Sequence, residues 1–164
     1  MQILRLKDNP AFADTVADRS WNAWWTETGV TLAQYRAHLD PMIENDGIPF
    51  CLVAEEDGIY LGSVLMIEND LDARPDYTPW IAALWVEPHA RKRGVATRLI
   101  VAARAQAAKW GKYNCYLCAT PEMDSFYLGQ GFEQIETDVS GLNIFRIELS
   151  DRPARSPRGR ISPR

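Results

Sequence analysis

The sequence predicts an α/β fold of the α+β kind: one mixed sheet flanked by helices. Three observations carry this. An apolar run at residues 80–86 (WIAALWV) is broken by Glu87-Pro88 and the basic turn Arg91-Lys92-Arg93-Gly94, and a helical pattern then runs to Trp110. A second strand-like run at 114–119 follows that helix, so the two runs form a parallel βαβ unit. Along the whole chain the predicted order is β-α-α-β-β-β-α-β-α-β-β, with no internal repeat.

Each element has a local reason. Residues 2–7 (QILRLK) read as a first strand. Asp8 or Asn9 before Pro10 signals a helix start, and the helix is expected to reach about Trp25 with Phe12, Val16 and Trp21 among its apolar positions. Thr31 is the expected N-cap of a second helix, running through about Ile43. Asn45-Asp46-Gly47 is a turn. Residues 50–54 and 59–67 are strands joined by a hairpin turn at Glu56-Asp57-Gly58. A polar loop at 68–78 carries Asp70, Asp72 and Asp76. After the strand at 80–86 comes a helix over 96–110, stopped by Gly111. Pro121 opens a short helix to Leu128, and strands at 132–139 and 142–149 are joined near Ser140-Gly141.

A strand, a basic glycine turn and a helix start together make an anion site. Such a turn aims N–H groups inward, and the helix N-terminus adds roughly half a positive charge. Gly94 has no Cβ to block a phosphate and tolerates positive φ, and Ala96 is small. Arg91, Gly94 and Ala96 fill the pattern Gln/Arg-x-x-Gly-x-Gly/Ala, and the stretch resembles the acyl-CoA-binding segment of the GNAT N-acetyltransferases. Downstream, Phe126-Tyr127-Leu-Gly-Gln-Gly131-Phe132 resembles that family's Phe-Tyr-x-x-x-Gly-Phe segment. The resemblance is strong over residues 80–132 and loose before them.

The resemblance implies a GNAT fold, whose central strands splay apart, and acetyl-CoA as co-substrate lying between them. The backbone of Leu84, Trp85 and Val86 would pair with the pantetheine amides, as an added strand does. Backbone amides of Arg91, Lys92, Arg93, Gly94, Val95 and Ala96 would hold the pyrophosphate, with the Thr97 hydroxyl and the Arg91 and Arg93 side chains nearby. Many family members carry Asn after the strand matching 114–119, where this chain has Thr120-Pro121. Thr120 can still bond the cofactor, with fewer donors.

The implied reaction is direct attack of an amine on the thioester. An alkylamine of pKa ~10.4 needs about 4–5 kcal/mol to reach its neutral form at pH 7. A base or a desolvated pocket must supply this, and the departing thiolate needs a proton. Tyr127 is the expected proton donor. No base is evident, because the strand at 80–86 holds no carboxylate. Glu87 lies just beyond that strand, and Asp70, Asp72 and Asp76 occupy a loop that can reach the acceptor mouth. His38 and His89 have no serine or cysteine arrangement around them. Trp21, Trp24 and Trp25 share roughly one helix face, and with Asp76 they are the expected acceptor-binding residues.

Composition narrows the classes. The chain has 164 residues, is 46% apolar and carries a net charge of −4. That is one domain, 1–150, followed by an Arg/Pro-rich tail, 151–164, expected to be disordered. The domain holds 13 Lys and Arg against 21 Asp and Glu, and the tail five Arg against one Asp. An acidic domain argues against specific nucleic-acid binding and mildly favours a cationic amine acceptor, either a small molecule or a peptide. No apolar run approaches the ~20 residues of a membrane span, and no signal peptide is visible, so a cytoplasmic protein without membrane attachment is expected. Cys115 and Cys118 lie three apart in a strand, hence on opposite faces, so no metal site is expected. A non-catalytic acyl-CoA sensor on the same fold is the alternative, and a homodimer is compatible with the sequence. Tyr127 favours the enzyme.

Overall fold

The computed structural model describes residues 1–149; Ser150 and the expected tail at 151–164 lie outside the described residues. The strands are β1 (Gln2–Arg5), β2 (Phe50–Glu56), β3 (Ile59–Ile67), β4 (Trp80–Val86), β5 (Asn114–Ala119), β6 (Glu133–Val139) and β7 (Leu142–Glu148). The helices are α1 (Ala13–Trp24), α2 (Leu32–Ala37), α3 (Asp40–Glu44), α4 (Val95–Lys109) and α5 (Asp124–Gly129). The strands form one sheet in the order β1-β2-β3-β4-β5-β7-β6. Neighbours are antiparallel except β4 and β5, which are parallel.

Turn chemistry fixes the antiparallel parts. Asp57 (φ 51°) and Gly58 (φ 77°) close the β2–β3 hairpin, and Ser140 (φ 53°) and Gly141 (φ 81°) close β6–β7. Positive φ at both central residues matches the right-handed twist of the strands. Gly111 ends α4 in the left-handed region, with the Lys112 N–H bonded to Ala107 O and its own N–H to Ala108 O.

The sheet is covered on both sides, which explains why β2 is almost continuously apolar. Phe50, Leu52 and Ala54 face α4, where Leu99, Ile100, Ala103 and Ala107 are buried. Cys51 and Val53 face the other way, toward Val16, Ala17, Tyr35, Leu39 and Met42 of α1–α3. Each fully buried Leu or Ile contributes roughly 1.5–3 kcal/mol relative to exposure.

Four expectations need correction. The first strand stops at Arg5, because Leu6–Asp8 and Pro10–Phe12 form 3-10 turns and α1 starts only at Ala13. The predicted second helix is two, α2 and α3. Thr31 and Gln34 form a capping box at its start, but Pro41 has no N–H for the continuing ladder, and the chain restarts at Asp40. The last strand closes at Glu148. Finally, Trp21, Trp24 and Trp25 do not share a face: Trp21 and Trp25 pack inward and Trp24 points out. None of the helices among the described residues is long and apolar enough to cross a membrane.

Candidate active site

β4 and β5 pair at one point only, Trp80 with Tyr116, where the Tyr116 N–H donates to Pro79 O at 3.0 Å. Beyond it the strands part, leaving the edge of β4 from Ala83 onward unpaired toward β5. The cause lies in the β3–β4 ladder. Ala82 pairs with Leu65 and Trp85 with Ser63, so two residues, Ala83 and Leu84, oppose the single Val64. This is a β-bulge, and Ala83 sits at φ 50° within it. The extra residue also reverses which side each later side chain takes. Leu84 and Val86 pack on the α4 side and Trp85 on the α1–α2 side. Gly62 is required opposite this stretch, because a Cβ there would lie 2.5 Å from the Trp85 carbonyl oxygen.

The mouth of the gap is the basic turn. Lys92 (φ 62°) and Gly94 (φ 76°) both adopt left-handed backbone, and Gly94 is the N-cap of α4. The first N–H to bond back is that of Arg98, to Gly94 O at 3.1 Å. The amides of Val95, Ala96 and Thr97 precede it, and neither a capping side chain nor a first-turn acid competes for them. A cleft of about 220 Å³ is lined by Val86, Arg91, Gly94, Ala96, Thr97 and Phe126, among others. No atom lies within 4 Å of a Cβ built on Gly94, so the turn has room for a bound group. Arg91 Nε donates to Val86 O at 3.0 Å, and its guanidinium stands 5.0 Å over the Trp85 ring. Arg93 instead pairs with Glu56 at 2.9 Å, and Lys92 is exposed. Thr97 accepts a hydrogen bond from Gln130 at 2.9 Å, which ties α4 to the end of α5.

Tyr127 lies on α5, and two contacts set its position. Asn143 of β7 donates to the Asp124 carboxylate at 3.0 Å at the helix start. At the helix end Gly131 (φ 90°) is the left-handed stop, with the Phe132 N–H bonded to Tyr127 O and the Gly131 N–H to Leu128 O. The Phe-Tyr-x-x-x-Gly-Phe segment is therefore a helix C-cap, in which Phe132 closes against Tyr127. The Tyr127 ring is 8% exposed and meets Phe126, Phe132 and Phe145. Among the described residues its hydroxyl has no hydrogen-bond partner. Burial, aided by Cys118, pushes the phenol up to about 12, so it keeps its proton at neutral pH.

A gap between parting parallel strands, with an uncapped helix start at its mouth, is a fold-level signature. The model of the GNAT acetyltransferase family matches residues 15–132. The chain belongs to the GNAT acetyltransferase family. Solved structures of GNAT type share its fold. An aminoglycoside 6'-N-acetyltransferase complexed with coenzyme A superposes with a TM-score of 0.73 at 17% identity, covering 93% of this chain and 99% of that one. The paia N-acetyltransferase of Thermoplasma acidophilum, also with coenzyme A, gives 0.65 at 17%, covering 90% and 99%. The structure of yncA from Salmonella typhimurium, with acetyl-CoA, gives 0.68 at 17%, covering 94% and 97%. No curated protein matches significantly in sequence.

The α1–α2 side of the sheet carries the tryptophans expected to bind the acceptor. Trp24 is 48% exposed and stands edge-on to Trp85 at 6.3 Å. The Trp21 indole N–H is taken by Val30 O at 2.8 Å, and Trp25 packs on Tyr35 at 5.5 Å. Glu87 is engaged by Arg19 at 2.5 Å and by the Trp85 indole N–H at 3.3 Å, so it anchors α1 to the end of β4. The loop at 68–79 is clipped to β6: Arg74 and the Tyr77 hydroxyl both donate to Glu136. Tyr77 also stacks flat on Tyr116 at 4.6 Å. Asp76 is exposed on this loop, and Asp72 accepts from Asn69. Thr120 is exposed; its backbone carbonyl, not its side chain, caps the next turn. His38 and His89 are both exposed.

Two features of the candidate site leave no mark in the sequence. The bulge sits at an Ala-Ala step, where no glycine announces positive φ. The contact between Asp70 and Cys118, at 3.5 Å, joins residues 48 apart. The alternation rule does hold for the cysteines: Cys115 is in the α4-side core, while Cys118 faces the loop.

Proposed function

We propose that this GNAT protein transfers the acetyl group of acetyl-CoA to a primary amine by direct attack on the thioester. The observation that carries this is the β4–β5 gap opening onto the uncapped N-terminus of α4. The open edge of β4 at Leu84–Val86 suits the amides of a pantetheine arm. The free amides of Val95–Thr97 and the clear space at Gly94 suit a pyrophosphate. Arg91 then has a choice between the Val86 carbonyl and phosphate, and its charge favours phosphate. Tyr127 gives a proton to the departing thiolate; a neutral phenol next to the gap is the right species for that role. This is the reason to prefer an enzyme to a sensor. Trp24 and Trp85 form the aromatic wall of the acceptor side, a surface on which a cation can rest.

The aminoglycoside acetyltransferase among the fold neighbours acts on a polycationic amine, and the acidic domain here fits the same class. Residues 1–150 are one catalytic domain in this reading. The three free thiols suit a reducing compartment such as the cytoplasm. A homodimer is compatible, since the site draws on one chain. The test is a panel of aminoglycosides, polyamines and peptides with acetyl-CoA, followed by thiol release and product mass. A gain of one acetyl per released thiol is expected. Acetyl-CoA that binds without any thiol release would favour the sensor.

A further inference from the structure

The reaction lacks a group to take the proton from the acceptor ammonium, and the Asp70 carboxylate stands near the start of the gap. We infer that Asp70 is the catalytic base, accepting that proton beside Cys118, where the loop at 68–79 meets β5. This rests on the acetyltransferase reading above.

Cys118 lies two residues beyond Tyr116, the last point at which β5 pairs with β4. It is therefore level with the start of the gap, on the face opposite the Cys115 and Leu117 core positions. Its thiol donates to Asp70 Oδ2 at 3.5 Å, which brings Asp70 to that same level. The loop is held there rather than hanging in solvent, because Arg74, Tyr77 and Glu136 clip it to β6 and Tyr77 stacks on Tyr116. The groups facing Asp70 are few. They are Cys118 of β5, which hydrogen-bonds it, and Tyr35 of α2, whose phenol feels its charge; Asp72 and Asp76 follow on the same loop, and Tyr127 of α5 in turn feels the charge of Cys118. No cation is among them, so no described residue neutralises the carboxylate in advance. Glu87, by contrast, is consumed by Arg19 and Trp85.

The environment also tunes the group. Asp70 is exposed, yet protein atoms around it crowd its carboxyl enough to strip part of its hydration. That crowding raises its pKa, and the Cys118 hydrogen bond opposes part of the rise. A carboxylate with a raised pKa is a better proton acceptor, and an approaching ammonium is the charge it lacks.

The protons balance. The ammonium gives one proton to Asp70 and becomes a neutral amine. Its nitrogen forms the N–C bond to the acetyl carbonyl carbon, and the C–S bond breaks. Tyr127 gives its proton to the sulfur and regains one from the nitrogen, leaving a neutral amide. Asp70 returns its proton to water when the product leaves.

The test compares Asp70→Asn and Asp70→Glu with the wild type, using ethylenediamine at high concentration as a probe acceptor beside the best amine of the panel. For Asp70→Asn, kcat/KM for the amine should fall at least about 100-fold at pH 7, with the acetyl-CoA KM within about threefold. The pH profile should change form. Wild type uses the ammonium with ionised Asp70 and levels off at neutral pH. Asp70→Asn must wait for free amine, so its log kcat/KM should climb with pH toward the amine's own pKa. Asp70→Glu should recover part of the loss. Alkylation of Cys118 by iodoacetamide, read by peptide mass, needs no turnover. It should be faster in Asp70→Asn, because the neighbouring carboxylate holds the thiol protonated. Unchanged alkylation would overturn the contact. An unimpaired, level pH profile in Asp70→Asn would overturn the role of Asp70 alone. Absence of transfer in the wild type as well would overturn the reading of function, and this inference with it.

Discussion

A phenol that stays neutral far above physiological pH always carries its proton, although it yields that proton less easily than a free tyrosine does. Tyr127 meets this condition because its ring is walled by Phe126, Phe132 and Phe145 while its hydroxyl is left without a partner among the described residues. Loss of the hydroxyl alone, in Tyr127→Phe, keeps that packing. The step affected is C–S cleavage, so rate should suffer more than binding. A thiolate of pKa ~8.5 is already a fair leaving group. The expected loss is therefore at the low end for a general acid, about 10–100-fold in kcat, with acetyl-CoA KM moving less than about threefold. Steady-state kinetics under chemistry-limited conditions would check this; an unchanged kcat would make Tyr127 a packing residue and water the proton source.

Two elements hold the site open. The first is the bulged strand β4, whose Trp85 carbonyl crowds Gly62. Gly62→Ala must push that backbone away, costing about 1–3 kcal/mol of stability as overpacking does. It should also weaken CoA binding, because the displaced stretch is the one proposed to pair with pantetheine. A melting curve and a CoA titration on the same protein would show both, and a loss of stability with intact CoA affinity would separate the bulge from the site. The second is the clipped loop. Arg74 and Tyr77 hold the Glu136 carboxyl down at about 2 from its ordinary 4.5. A depressed acid stabilises the fold above its unfolded pKa, and that contribution fades as pH falls from 4.5 through about 2. Over this window the melting temperature of wild type should drop more steeply than that of Glu136→Gln. The variant should raise the amine KM and leave acetyl-CoA affinity alone, since the loop is proposed to serve the acceptor side. Equal acid slopes in the two proteins would mean that the clip does not form in solution.

At the scale of the molecule, every residue assigned a role lies within 1–149. Deleting 151–164 should keep kcat within about twofold, a change of ~0.4 kcal/mol. A large rise in KM for a polyanionic or protein acceptor would instead make the segment a docking arm. What the sequence made legible was local chemistry. Gly94 before α4, Gly111 and Gly131 after helices, Asp57-Gly58 and Ser140-Gly141 in hairpins, and the Thr31 cap all act within a few residues, so their pattern is readable in the chain. Illegible parts depend on partners far away. The Ala83 bulge exists because β3 and β4 close on each other at Gly62, and Asp70 meets Cys118 only once the sheet has formed. Pro41 marked the break between α2 and α3 openly, yet apolar periodicity ran across it and suggested one helix. The central claim is that the gap and the turn at its mouth bind acetyl-CoA. Calorimetric titration of coenzyme A into wild type and Gly94→Glu tests it most directly, with circular dichroism to show that both are folded. The glutamate sets a side chain and a negative charge where the pyrophosphate is proposed to lie, at a φ of 76° that favours glycine. Binding by the wild type and at least a tenfold weaker Kd in the variant, about 1.4 kcal/mol, are the predicted result. Equal affinity in two folded proteins would contradict it.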